Sequence, residues 1–174
     1  KGLEAARLLG RDVGAVPSEW VRTGEILKSR PGLSQAELLP EEKPGEIVPV
    51  FHCNQEIPCN PCTSVCPQGN IYIDPADIRS IPTYIADHTG QACTGCEKCV
   101  TICPGLAITL VNYRQAGDPI VTIAYEFGRE VLHAGDTVTV LDTAGSVLGR
   151  VEVLRVRASK ATDRTALVQV RAPR

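Results

Sequence analysis

The sequence predicts an α+β protein in three parts: a helical strap over residues 1–46, a cysteine-rich module over 47–118, and a small antiparallel β-barrel or sandwich over 119–174. Three observations carry this reading. All eight cysteines fall between Cys53 and Cys103, the segment around them repeats itself once, and the residues after 118 are β-branched runs broken by turn signals. The strap opens with a helical pattern, Lys1 to Gly10, and is then punctuated by Pro17, Gly24, Pro31, Gly32, Pro40, Pro44 and Gly45. Between these lie short amphipathic pieces around Glu19–Ser29 and Ser34–Leu39, the second with the Ser34/Glu37 spacing of a capping box. Trp20, the single tryptophan, suits an anchor for such a strap, because it buries a large surface. A first residue that is not methionine, inside an apparent helix, suggests a processed chain or a piece of something larger.

In the middle part, Cys93, Cys96, Cys99 and Cys103 follow C-x2-C-x2-C-x3-C and are succeeded by Pro104. Three cysteines at two-residue gaps let a tight loop wrap one four-iron cage, while the fourth, past a helical turn, faces a second cage. Cys59, Cys62, Cys66 and Pro67 repeat the last three members of this pattern, with Cys53 displaced to six positions before Cys59. Zinc needs only paired C-x2-C units, not the third cysteine followed by x3-C-P. A disulfide framework calls for export, and no charged-then-apolar leader opens the chain. A redox-active C-x2-C pair stands alone at a helix start, whereas here every pair belongs to a longer ladder. Iron–sulfur clusters are therefore expected.

The repeat extends past the cysteines. Cys66-Pro67-Gln68-Gly69-Asn70-Ile71-Tyr72-Ile73 and Cys103-Pro104-Gly105-Leu106-Ala107-Ile108-Thr109-Leu110 place apolar residues five and seven after the cysteine, and both continue into strand-like alternation. Over about residues 47 to 114 this duplication resembles the two-cluster bacterial ferredoxin. The resemblance implies that Cys93, Cys96 and Cys99 bind one [4Fe–4S] cluster with Cys66 as remote ligand, and that Cys53, Cys59 and Cys62 bind the other with Cys103. The enlarged loop Asn54–Pro58 departs from the family pattern at Cys53. Without Cys53 that centre would be three-iron, or completed by another group. The eight cysteines are the candidate metal and cofactor ligands; no nucleophile-and-base arrangement marks a catalytic site.

The stretch Phe51-His52-Cys53-Asn54-Gln55-Glu56-Ile57-Pro58-Cys59-Asn60-Pro61-Cys62 resembles the widened first loop of dicluster modules attached to flavin-dependent amine and amino-acid dehydrogenases. The opening Gly2–Gly10 is similar to the last helix of the flavin domain of pyridine-nucleotide-disulfide-type oxidoreductases. These resemblances imply electron transfer to or from a flavoprotein, with FAD and NAD(P) held by a parent or partner polypeptide. No G-x-G-x-x-G occurs in this chain to supply a dinucleotide fold of the usual type. A freestanding ferredoxin-type carrier is the nearest alternative.

Residues 51–118 hold three basic side chains, Arg79, Lys98 and Arg114, against six acidic ones: Glu56, Asp74, Asp77, Asp87, Glu97 and Asp118. A cluster whose four thiolates leave about -2, rising in magnitude on reduction, needs backbone N–H donors there, and Thr63, Ser64, Thr94 and Gly95 let amides approach. His52 suits a hydrogen-bonded structural residue beside a ligand, Asp74 and Asp77 a turn around Pro75, and His88 and His133 solvent.

Beyond 118, strands are expected at Ile120–Phe127, Thr137–Leu141, Val147–Val156 and Thr165–Val170, with a bulge where the apolar phase changes at Val153–Leu154. Arg150, Arg155 and Arg157 make one strand basic, which admits an iron–sulfur nucleic-acid-binding protein as a further alternative. The stacking aromatics such binding uses are reduced to Tyr125 and Phe127, and the net charge of -2 gives no general attraction to nucleic acid or anionic membranes. No apolar run approaches the roughly twenty residues of a spanning helix. A soluble, cytoplasmic protein is the expectation.

Overall fold

The computed structural model describes residues 44–53, 57–126, 131–141, 145–158 and 165–172, all within one compact unit, Leu33–Arg174. The strap, Trp20, the capping box, most of the enlarged loop and Phe127 lie outside the described residues. Among the described residues there are eight strands: β1 (Ile47–Phe51), β2 (Ile71–Tyr72), β3 (Thr83–Tyr84), β4 (Ile108–Asn112), β5 (Ile120–Tyr125), β6 (Thr137–Leu141), β7 (Val147–Arg157) and β8 (Ala166–Arg171). Three short helices accompany them: α1 (Pro61–Val65), α2 (Ala86–Thr89) and α3 (Lys98–Ile102). Pro61 at the start of α1 costs that helix nothing, since its missing N–H would have no partner in a first turn. No described helix is long and apolar enough to cross a membrane.

The strands form one antiparallel six-stranded sheet in the order β1-β4-β5-β8-β7-β6, with β2 and β3 as a separate hairpin. Residues 119–174 were expected to close into a barrel or sandwich of their own. Instead β5 pairs with β4 on one side and β8 on the other, so the terminal strands extend the sheet of the cysteine module. The physical reason lies in β5: Thr122 and Ala124 point to one face and Val121, Ile123 and Tyr125 to the other. Both faces are packed, which a strand between two cores requires. The phase change at Val153–Leu154 is a register shift between Val153 and Arg155.

Cross-strand partners share a face, so the register sorts the sheet. Pro49, Leu110, Thr122, Gln169 and Arg155 lie in one row across β1, β4, β5, β8 and β7. On this face Ile47, Phe51, Ile108, Leu110 and Leu167 pack with Val100 of α3 and with Cys62 and Cys99. On the other face Val151, Val153, Val168 and Val170 form a second core with Val121, Ile123, Val138 and Val140.

The internal repeat is visible atom by atom. α1 and α3 each run five residues and each ends at a cysteine, Cys66 or Cys103, of extended backbone. Three residues on, Gly69 and Leu106 both take a left-handed φ, 65° and 52°. Their N–H groups donate to the Cys66 and Cys103 carbonyls at 3.1 and 3.2 Å. One residue further, the Asn70 and Ala107 N–H groups donate to Cys66 Sγ and Cys103 Sγ, each at 3.3 Å.

Ile108, 1 % exposed where β4 meets the helices, is the residue most fully enclosed in the first core apart from Val100. Ile108→Ala is expected to cost about 2–5 kcal/mol, read as a lower urea midpoint at unchanged slope; a loss under about 1 kcal/mol would show that the helices do not press on the sheet.

Candidate iron–sulfur centres

α1 and α3 lie against each other, and this contact decides how the cysteines divide. Each helix carries one cysteine inside it, Cys62 or Cys99, and a second at its C-cap four residues later. A rise of about 1.5 Å per residue sets the two at opposite ends of the helix. Cys53, Cys59, Cys62 and Cys103 line one cavity of about 260 Å³, together with His52, Ile57 and Arg79. Cys66, Cys93, Cys96 and Cys99 line a second, tighter cavity of about 20 Å³, with Pro49, Asn70, Tyr84, Glu97 and Leu110. Each C-cap cysteine thus faces the other repeat's cavity.

The electrostatics divide the thiols in the same way. Burial pushes the Cys62 thiol up to about 11, helped by Cys103 and Cys59 and opposed by the N–H groups of Cys62 and Thr63. Burial pushes Cys99 up to about 12, with Cys93, Cys96 and Cys66 adding to it. Cys93 is raised for the same first cause, while the Gly95 N–H and the Arg114 guanidinium favour its thiolate.

The donor set is four sulfurs per cavity with backbone amides aimed at them, which fits iron–sulfur cages. Among the described residues no three His, Cys, Asp or Glu side chains converge on a point that one metal ion would fill. A cage takes its ligands at its corners and so receives thiols that stand apart. Besides the two amides of the repeat, the Gly95 N–H reaches Cys93 Sγ at 3.4 Å. Gly95 has φ +73°, a conformation that favours glycine, and a Cβ there would stand 2.7 Å from Ile47 Cδ1, so that terminal methyl of β1 would have to move.

All eight expected ligands are described, seven buried or half-buried and Cys96 exposed. His52 is half-buried, its Nε2 3.2 Å from Thr109 Oγ1, and burial lowers its pKa; it lines the wider cavity as a held structural group. Asp74 and Asp77 accept from the Ala76 and Arg79 N–H groups, so both make turns. His133 is exposed and its N–H donates to Asp136.

Four supporting residues had no role in the sequence reading. Asn70, 1 % exposed, donates from Nδ2 to the Gln91 carbonyl at 2.5 Å, accepts from the Thr89 hydroxyl, and so ties the Cys66 turn to the segment leading to Cys93. Its signal was available: the repeat places apolar Ala107 at the same offset. The Tyr84 hydroxyl accepts from the Cys93 N–H at 3.1 Å, and Arg114 Nη2 donates to the Cys93 carbonyl at 3.0 Å. Glu97, between Cys96 and Cys99, is buried and paired with Arg157 of β7. One of the three arginines that made β7 look like a nucleic-acid surface, Arg157, is therefore paired with Glu97, although its own side chain stays 47 % exposed.

The raised thiols give a sign to the pH dependence of the metal-free chain. An unfolded cysteine loses its proton near 9.0, whereas folded Cys62 and Cys99 hold theirs to about 11 and about 12. Stability is expected to be complete below 9.0 and to fall as pH rises through 11 to 12, measured by urea unfolding; a flat profile would place these thiols in water. Loading a cluster must displace those protons, so iron uptake should quicken as pH rises toward 9.

Over 94 residues the chain is 35 % identical to a Protein NrfC homolog of Haemophilus influenzae, a match covering 54 % of this chain and 36 % of the relative. The matched region is thus little more than a third of that protein's length. No solved structure matches the chain. Residues 53–107 match the 4Fe-4S dicluster domain family, so this stretch is a dicluster ferredoxin-like module whose business is electron transfer through 4Fe–4S clusters.

Proposed function

We propose that the chain is the electron-transfer module or subunit of a larger oxidoreductase, passing single electrons through two [4Fe–4S] clusters. Cys53, Cys59, Cys62 and Cys103 hold one, and Cys66, Cys93, Cys96 and Cys99 hold the other. The observation that carries the reading is the division of eight cysteines into two cavities, each completed by the C-cap cysteine of the opposite repeat. The clusters supply one-electron chemistry, each cycling between net charges of about -2 and -3. The protein's part is to hold the thiolates, aim the Asn70, Gly95 and Ala107 N–H groups at sulfur, and exclude carboxylates from direct ligation. The crossed ligands make each helix a covalent link between the two centres, which suits transfer from one to the other.

The electron partner in this proposal is a flavin, in a parent or partner flavoprotein of the amine or amino-acid dehydrogenase type that also holds FAD and NAD(P). Support comes from the widened loop between Cys53 and Cys59 and from the resemblance of the sequence Gly2–Gly10 to a flavin-domain helix. The wider cavity, lined by Cys53 and Cys59 with exposed Ile57 on its rim, belongs to that same loop.

Anaerobic reconstitution is expected to give brown protein with about eight irons per chain that bleaches with dithionite. A colourless product would end the proposal. Cys53→Ser is expected to lower the iron load or produce a three-iron EPR signal, and unchanged iron and spectrum would show that Cys53 is not a ligand. Copurification with a flavoprotein tests the partner, and a chain that accepts electrons from no flavin would favour a freestanding carrier.

A further inference from the structure

Glu97 is spent on neither its own helix nor solvent. It lies between Cys96 and Cys99, 7 % exposed, with a left-handed φ of 61° that a glutamate rarely adopts. It occupies the N-cap of α3 without a side-chain capping bond. Its carboxylate instead reaches the sheet. Arg157 of β7 pairs with Oε2, Gln169 Nε2 of β8 donates to Oε1 at 2.9 Å, and the Thr122 hydroxyl of β5 stands 3.5 Å from Oε1. Gln169 also donates to Thr122 at 3.3 Å. Three strands from the part of the chain beyond the cysteines thus converge on one side chain of the cluster loop. A buried carboxylate is tolerable only when paired and hydrogen-bonded, and here every partner comes from β5, β7 and β8.

Among the described residues the first repeat has no such tie. Asn60 stands at the equivalent place, between Cys59 and Cys62, and is exposed, its carbonyl accepting from the Thr63 N–H. Among the described residues, only the Cys66/Cys93/Cys96/Cys99 centre is therefore coupled to the terminal strands through a side chain at this position.

We propose that Glu97 is a positioning residue: through its ion pair with Arg157 it makes the terminal strands part of the Cys66/Cys93/Cys96/Cys99 centre and sets the reduction potential of that centre alone. The proposal rests on the two-cluster reading above. While intact, the pair places no net charge beside a cage that becomes more negative on reduction. Glu97→Gln leaves the guanidinium uncompensated, which favours the reduced cage; Arg157→Gln leaves the carboxylate, which disfavours it. The two substitutions should move the potential in opposite directions, and the double variant should return toward the native value. Loss of a merely structural brace would move both the same way.

The test is an EPR-monitored redox titration of the full chain, reconstituted anaerobically, with the moving centre identified as the one disturbed by Cys96→Ser. The expected result is about a tenfold change in the reduced-to-oxidised ratio in each single variant, upward for Glu97→Gln and downward for Arg157→Gln. That is about 59 mV for a one-electron couple. Arg157→Lys, which keeps the charge, should stay near native. Selective loss of the Cys96 centre in a single variant, with Arg157→Lys loading both, also supports positioning. Shifts of the same sign, equal movement of both centres, loss of both, or no movement in two loaded centres overturns the inference. A native chain that binds no iron instead overturns the two-cluster reading itself.

Discussion

Eight thiols inside one small module resist being there. Cys62 and Cys99 lose water on folding and would, once ionised, meet neighbouring sulfurs, and both causes raise them. The structure manages this with backbone rather than side-chain charge. Turns after α1 and α3 send amides toward sulfur, and the left-handed residues Gly69 and Leu106 make those turns possible. Leu106 takes this conformation despite its side chain, evidence that the turn is imposed by its surroundings and not by local preference.

The contact of α1 with α3 converts a linear repeat into a two-centre object. Were the helices apart, each repeat would hold its own four cysteines; packed together, they exchange their last ones. The sheet beneath supplies the floor, with Ile47, Phe51, Ile108 and Leu110 under the helices. Gly95 lets the second loop approach that floor closely, where an added Cβ would displace the Ile47 terminal methyl.

The centres are alike in ligands and unlike in surroundings. Arg114 bonds the Cys93 carbonyl and Arg157 meets Glu97, so two guanidinium groups serve the tighter site. At the wider one, Arg79 is bonded to Asp77, which leaves that side closer to charge balance from its own turn. A module of net negative charge thus distributes its few cations unequally. Two chemically equivalent cages could differ in potential for that reason alone.

The cysteine spacing and the repeat determined the candidate donor set and the two turns after Cys66 and Cys103, because those depend on residues a few positions apart whose backbone geometry is local, whereas the division of the eight cysteines between two cavities depends on the contact of α1 with α3. The strand runs beyond 118 were legible for the same reason, down to the irregularity at Val153. Where those strands go was not legible. A run such as Val121, Ile123 and Tyr125 says that one face is buried but not against what, and the pairing of β5 with β4 is settled only when both faces find cores. Glu97 and Arg157 looked like ordinary surface charges, sixty positions apart along the chain. Only the folding of β7 and β8 over the second cysteine loop brings them together, since burial and pairing are properties of space and not of sequence distance.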